Sequence, residues 1–349
     1  MNISLAINLH VPLNSLISPL SHSPKALLQS RLCLFFGFYI NNLYKLPEQQ
    51  EFFKLYLSFL VKCAGITEED AQAVSEQANH ALNFLFDPLK GVNPRLVPFI
   101  GDIFEKFALY ISKAESEQFF ETLLSLTRTY QDFVRSNQQP LIEIIKLLVE
   151  RAQMEYEEYR EDIPIEAKTH YLNILSKVIN TIRNIVERPE YVAEYQEQIE
   201  QILMPLFAHL ETEPEVPFEE DVWAYMAAVI RMKKEVTPLF WTLFKLFPRM
   251  LEKSQGVIGE MFQPLNQLIV HGKATLNDDQ EAIVILIDML INCLNPGSKK
   301  ANQKDVSEAT LLLQLCMQYL KIPHEQWEKI LLACLAKIKT IRRGFLLAR

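Results

Sequence analysis

Glycine is nearly missing from this chain, nine residues in 349, while leucine, isoleucine and phenylalanine recur at three- and four-residue spacing from about Leu27 to about Ile338. Strands, phosphate-cradling loops and nucleophile elbows use glycine to reach backbone angles that other residues avoid. A chain so poor in glycine has room for few of them, and the apolar period is that of amphipathic helices. The expectation is all-α: helix hairpins stacked into one continuous HEAT- or armadillo-like α-α superhelical solenoid.

The punctuation is regular. LLQSRLCLFFGFYINNLYKL stops near Pro47 and EQQEFFKLYLSFLVKC follows after a short turn, which makes one hairpin. TEEDAQAVSEQANHALNFLF opens with Thr67 as an expected N-cap and Asp70 three residues on, close to a capping box. Proline marks helix starts at Pro94, Pro140, Pro238 and Pro323, because its missing N–H would be unpaired in a first turn. Pairing the segments gives a period of roughly 40 residues, in the range of HEAT and armadillo repeats. No long Ser/Gly/Pro linker divides residues 25–349, so they read as a single array.

The first 24 residues are apolar, rich in Ser and Pro, and free of Lys and Arg before Lys25. They lack the basic region of a secretory signal, and Pro12 and Pro19 interrupt any spanning helix. They read as a disordered leader or a mis-joined start of the coding sequence. Cys33, Cys63, Cys293, Cys316 and Cys334 are odd in number and set in apolar helical segments, which predicts buried free thiols in a reducing compartment.

Lys and Arg number 35 against 43 Asp and Glu, a formal net charge of −8. That balance disfavours broad contact with nucleic-acid phosphates and suits basic protein partners. No GxxxxGK[ST], GxSxG, HExxH or CxxC is present. The reading is a non-enzyme without cofactor or metal.

Two acidic stretches are the candidate binding elements. MEYEEYRED carries Glu155, Glu157, Glu158, Glu161 and Asp162 off a helix into a turn before Pro164. ETEPEVPFEED carries Glu211, Glu213, Glu215, Glu219, Glu220 and Asp221 into the helix of Trp223. Each is either a solvated helix end, with Glu219, Glu220 and Asp221 favoured by the dipole of the helix they begin, or a landing site for Lys- and Arg-rich segments. Phe240, Trp241, Phe244 and Phe247 are aromatic at helical spacing, which fits a buried helix better than a peptide groove.

The helix order and wording resemble the importin-β-type karyopherins, in the branch of importin-seven and importin-eight. The resemblance is carried by QANHALNFLFDPLKGVNPRLVPFIGDIFEKFALYI, then ILSKVINTIRNIVE, YQEQIEQILMPLF and EVTPLFWTLFKLFPRMLE, and ends at LLACLAKIKT. Pro238 and Trp241 match a characteristic proline and tryptophan of the branch. The resemblance implies a HEAT solenoid that carries basic cargo such as ribosomal proteins or histones, meets nucleoporins, and works in cytoplasm and nucleus, including the nuclear envelope and pore. It also implies small-GTPase binding, but the Ran-contacting N-terminal repeats have no counterpart here, so Ran-GTP enters by family alone. The chain is much shorter than such receptors and reads as a middle-to-C-terminal portion truncated at both ends. A generic HEAT scaffold of a phosphatase, kinase or vesicle-coat assembly is the alternative.

Overall fold

The computed structural model describes residues 25–43, 50–68, 71–136, 138–186, 195–212, 216–249, 258–294 and 303–347. They are all-helical, with no strand among the described residues. The chain divides into two compact units, Met1–Ile185 and Val186–Arg349.

In the first unit lie α1 (Ala26–Leu43), α2 (Gln50–Ala64), α3 (Gln72–Leu85), α4 (Ile100–Ile111), α5 (Glu117–Thr129), α6 (Gln131–Ser136) and α7 (Gln138–Arg160), with α8 (Ile165–Val186) ending at the unit boundary. Consecutive α2 and α3 pack together, and contacts also skip along the chain: α1 packs on α3 and α3 on α5, while α2 meets α4 and α4 meets α7. The i, i+4 apolar rows make this possible. Val74, Ala78, Leu82 and Leu85 of α3 are buried, as are Phe53, Leu57, Leu60 and Ala64 of α2. Burying each large side chain contributes about 1.5–3 kcal/mol.

Polar groups inside the unit are stitched across helices. Ser75 Oγ and Asn79 Nδ2 both donate to the Ala64 carbonyl that ends α2, at 2.9 and 3.1 Å. Thr122 Oγ1 of α5 donates to the Asn79 carbonyl at 3.1 Å, and Asn184 Nδ2 of α8 to Thr127 Oγ1 at 3.1 Å. Gly37 allows α1 to approach α3: a Cβ there would stand 2.8 Å from Ala81 Cβ and 2.9 Å from its Cα. A larger residue there would force the two helices to shift apart.

The second unit contains α9 (Gln196–Thr212), α10 (Glu219–Lys233), α11 (Pro238–Phe244), α12 (Ile258–His271), α13 (Lys273–Asp278), α14 (Gln280–Leu294), α15 (Gln303–Tyr319) and α16 (His324–Leu347). Here α10 packs on α12, α12 on α15, and α14 on both α15 and α16. Helix α10 is buried at Val222, Trp223 and Tyr225 through Ile230. Trp223 meets Phe247 edge-on at 4.5 Å, and Phe207 of α9 lies against Tyr225 at 6.1 Å. Lys234 ends α10 in the left-handed region, φ 59°, its N–H donating to the Ile230 carbonyl.

Several local expectations shift. Pro140 and Pro238 do sit in first turns, and Pro323 directly precedes α16. Pro94 does not begin a helix. The Asn93 side chain accepts from the Arg95 N–H at 3.1 Å, Pro98 has no N–H to give, and a 3-10 turn, Val97–Phe99, intervenes before α4. Thr67 does not cap α3, because a turn from the Glu68 carbonyl to the Ala71 N–H places the start at Gln72. Asp70 lies outside the described residues, as do residues 1–24.

Cys33, Cys63, Cys293 and Cys316 are buried free thiols, but Cys334 is exposed. It lies on the outward side of α16, among Leu331, Leu332 and Leu335, which are exposed as well. No described helix is long and apolar enough to cross a membrane, and no described cluster of His, Cys, Asp or Glu could hold a metal ion.

Candidate functional site

The first acidic stretch ends α7, where the Glu161 and Ile163 N–H groups fold back onto the Glu158 and Glu161 carbonyls. Pro164 then starts α8, its carbonyl taking the Lys168 N–H. Glu157, Glu158, Glu161 and Asp162 are all exposed in this turn.

Glu155 is not. It is 3% exposed, and its Oε1 lies 2.5 Å from Arg151 Nη2 one turn earlier. Arg151 also donates through Nη1 to the Ser112 carbonyl at 3.2 Å, so the pair ties α7 to the α4–α5 connection. Burial pushes the Glu155 carboxyl above the ordinary carboxylate value, and Arg151, with His170 nearby, only partly offsets this. Its place among surface acids is therefore corrected: its position on α7 turns it inward with Tyr156, which is also buried.

The second stretch is distributed. Glu211 is exposed near the end of α9, and Glu213 and Glu215 lie outside the described residues. Val216 and Phe218 are buried and anchor the start of α10. Glu219 is half-buried and accepts from Trp223 Nε1 at 3.1 Å; Glu220 is exposed and Asp221 half-buried. All three acids sit in the first turn of α10, where the helix dipole favours them. Phe240, Phe244 and Phe247 are core, while Trp241 is half-buried against the Gly272 position.

A groove that the sequence reading missed lies between α2 and α4, about 490 Å³ in volume. The two helices run parallel: Phe53 meets Phe99 at 6.3 Å at their N-terminal ends, and at the other end Gly65 admits the Tyr110 ring, 2.4 Å from where a Cβ would be. Leu57, Val61, Phe99 and Ile103 form its apolar lining. Lys54 and Lys62 rise from α2, and Asp102, Glu105 and Lys106 from α4. None of these five charged groups is in an ion pair among the described residues. One turn before Leu57 the Phe53 ring is covered by the Arg95 guanidinium at 4.4 Å. Arg95 Nη1 and Nη2 are buried without a hydrogen-bond partner, and burial lowers its pKa. The available signal was the lysine spacing on α2, two turns apart beside Leu57 and Val61, which reads equally as an ordinary solvated rim.

A second groove, about 550 Å³, runs between α14 and α16 beside Ile291, Leu332 and Ala336. Its facing charges satisfy each other, Lys329 Nζ to Asp288 Oδ1 at 2.8 Å. No protein-family model, no curated protein and no solved structure matches the chain.

Proposed function

We propose that the chain is an α-α solenoid of the HEAT or armadillo kind and serves as a protein-binding scaffold, in the manner of a nuclear transport receptor that takes basic protein cargo. Contacts between alternate helices within each unit support the solenoid reading, since stacked hairpins bury their faces in that way. The observation that carries the binding role is the α7–α8 turn, where Glu157, Glu158, Glu161 and Asp162 stand exposed together on a chain of net charge −8. Such a surface attracts Lys- and Arg-rich segments and speeds their encounter.

The transport role, the cytoplasmic and nuclear setting and the nucleoporin partners rest on the sequence resemblance alone. Ran-GTP binding is not part of the proposal. The test is retention of ribosomal-protein and histone segments and of Phe-Gly repeat peptides, measured against neutral controls. Basic segments should be held and released by salt, because exposed charges are screened. Reversing the four turn acids to lysine should weaken retention roughly tenfold or more. Equal retention of basic and neutral segments rejects the binding role. Basic binding without any Phe-Gly binding leaves a scaffold without transport.

A further inference from the structure

We propose that Cys33 and Cys63 are a redox-responsive pair: free thiols in the resting chain, which a peroxide joins into a disulfide that pins α1 to α2. The inference is independent of the acidic turns and of their basic ligands.

Packing brings the two sulfurs together. Phe36 of α1 stacks on Tyr56 of α2 at 4.2 Å and meets Phe59 edge-on at 6.2 Å. Cys33 lies one turn before Phe36, and Cys63 one turn after Phe59. The Cys33 thiol donates a hydrogen bond to the Cys63 sulfur. Ring and thiol contacts thus follow in opposite order along the two helices, which run antiparallel, and the cysteines form the layer next to the rings. Cys33 is fully buried and Cys63 is 3% exposed. Sulfurs in such contact need only a small shift to reach a bond length of about 2.05 Å.

The two thiols are not equivalent. Accepting from Cys33 lowers the Cys63 pKa, against the effect of burial and with some help from Lys62. Donating to Cys63, together with burial, raises that of Cys33. Cys63 therefore carries the thiolate, which is the attacking form. It also sits in the last turn of α2, where a helix frays and admits a small oxidant.

In the first step the Cys63 thiolate attacks one oxygen of hydrogen peroxide and the O–O bond breaks. The hydroxide released takes up the proton that the thiol gave up and leaves as water, and Cys63 is then a sulfenic acid. In the second step the Cys33 sulfur attacks the Cys63 sulfur; the S–S bond forms, the S–O bond breaks, and the departing hydroxide takes the Cys33 proton as a second water. The two sulfurs together lose two electrons to the peroxide, so two thiols and one peroxide become one disulfide and two waters. The bond closes a loop of about 30 residues, and such a link stabilises chiefly by restricting the unfolded chain.

Two other buried cysteines serve as internal controls. Cys293 donates to the Met289 carbonyl one turn back at 3.3 Å, and burial pushes both it and Cys316 up to about 12, which keeps them protonated.

The experiment treats the full chain carrying Cys334→Ser, which removes the exposed thiol and with it links between molecules, with hydrogen peroxide. Free thiols are then blocked in denaturant and a non-reducing digest is read by mass spectrometry. The main product should be the peptide pair joined through Cys33 and Cys63 and released by a reductant, with Cys293 and Cys316 unmodified. Thermal melting should rise by roughly 5–10 °C on oxidation and fall back on reduction. In Cys33→Ser, whose hydroxyl can still donate to the sulfur, dimedone should trap a sulfenic acid at Cys63; in Cys63→Ser it should trap none at Cys33. Peroxide that leaves both thiols free, a disulfide in which either pairs with another cysteine, a sulfenic acid at Cys33 in Cys63→Ser, or melting that does not move when the bond forms overturns the proposal.

Discussion

Replacing Arg151 by methionine should be among the most damaging single changes in the first unit. Arg151 and Glu155 have side chains only 9% and 4% exposed and meet at 2.5 Å. Methionine keeps an apolar stem beside Phe120, which the guanidinium faces at 5.9 Å. It leaves behind a buried carboxylate whose Oε2 already has no hydrogen-bond partner. Removing one member of a buried pair costs about 3–5 kcal/mol. The lost Arg151 bond to Ser112 adds little, because Ser112 is exposed and water can replace it, so about 3 kcal/mol is expected near neutral pH.

Acid should relieve the defect. Glu155 is already above its ordinary value through burial, and Arg151 is the main influence holding it down. Without Arg151 the folded carboxyl rises further above the unfolded one. Between those two values the folded state binds more protons, so stability falls as pH rises through the window. The penalty is smallest below the ordinary carboxylate range and complete above the raised folded value. Urea unfolding followed by circular dichroism across this pH range measures it, and hydrogen exchange along α7 localises it. The double variant R151M/E155L should recover to within about 1 kcal/mol of wild type, since well-packed apolar replacements of buried pairs are near neutral or better. A penalty below about 1 kcal/mol, or one that does not change with pH, refutes the reasoning.

Gly37→Ala should cost about 1–3 kcal/mol, read by thermal melting, because the new methyl meets the Ala81 backbone rather than a movable side-chain end. Trp223→Ala should cost about 3–5 kcal/mol, since the ring is fully buried against Phe247. Lys234→Gly should stabilise by about 1 kcal/mol in chemical denaturation by releasing a left-handed non-glycine residue. Titration with a thiol reagent should find Cys334 fast and the other four cysteines slow until unfolding; burial pushes Cys293 and Cys316 up to about 12.

Helix positions were legible where apolar spacing was long and unbroken, as in α2, α9 and α15. Their ends were less so. Asn93 and Pro98 delay α4, and the Glu68–Ala71 turn delays α3, because a side chain or a missing donor redirects one or two backbone bonds that periodicity does not register. The acidic stretches were visible as text, but exposure was not. Glu155 and Glu157 are two residues apart, which turns them about 200° around the helix, so one enters the core while the other faces water. The α2–α4 groove was hidden for a different reason, since Lys62 and Lys106 are far apart in sequence and share a groove only through packing.

The sequence by itself determined the helical character of the described residues, the acid balance and the scarcity of glycine, because these depend on local backbone freedom and composition. Tertiary structure decided which residues the few glycines serve. Gly37, inside α1, and Gly65, in the turn that ends α2, are contact points, where one helix meets Ala81 and the turn meets Tyr110. It also decided which buried polar groups lack a hydrogen-bond partner among the described residues, the two amino groups of Arg95 over Phe53 among them. Helix formation is set by neighbours along the chain, whereas exposure and pairing are set by neighbours in space.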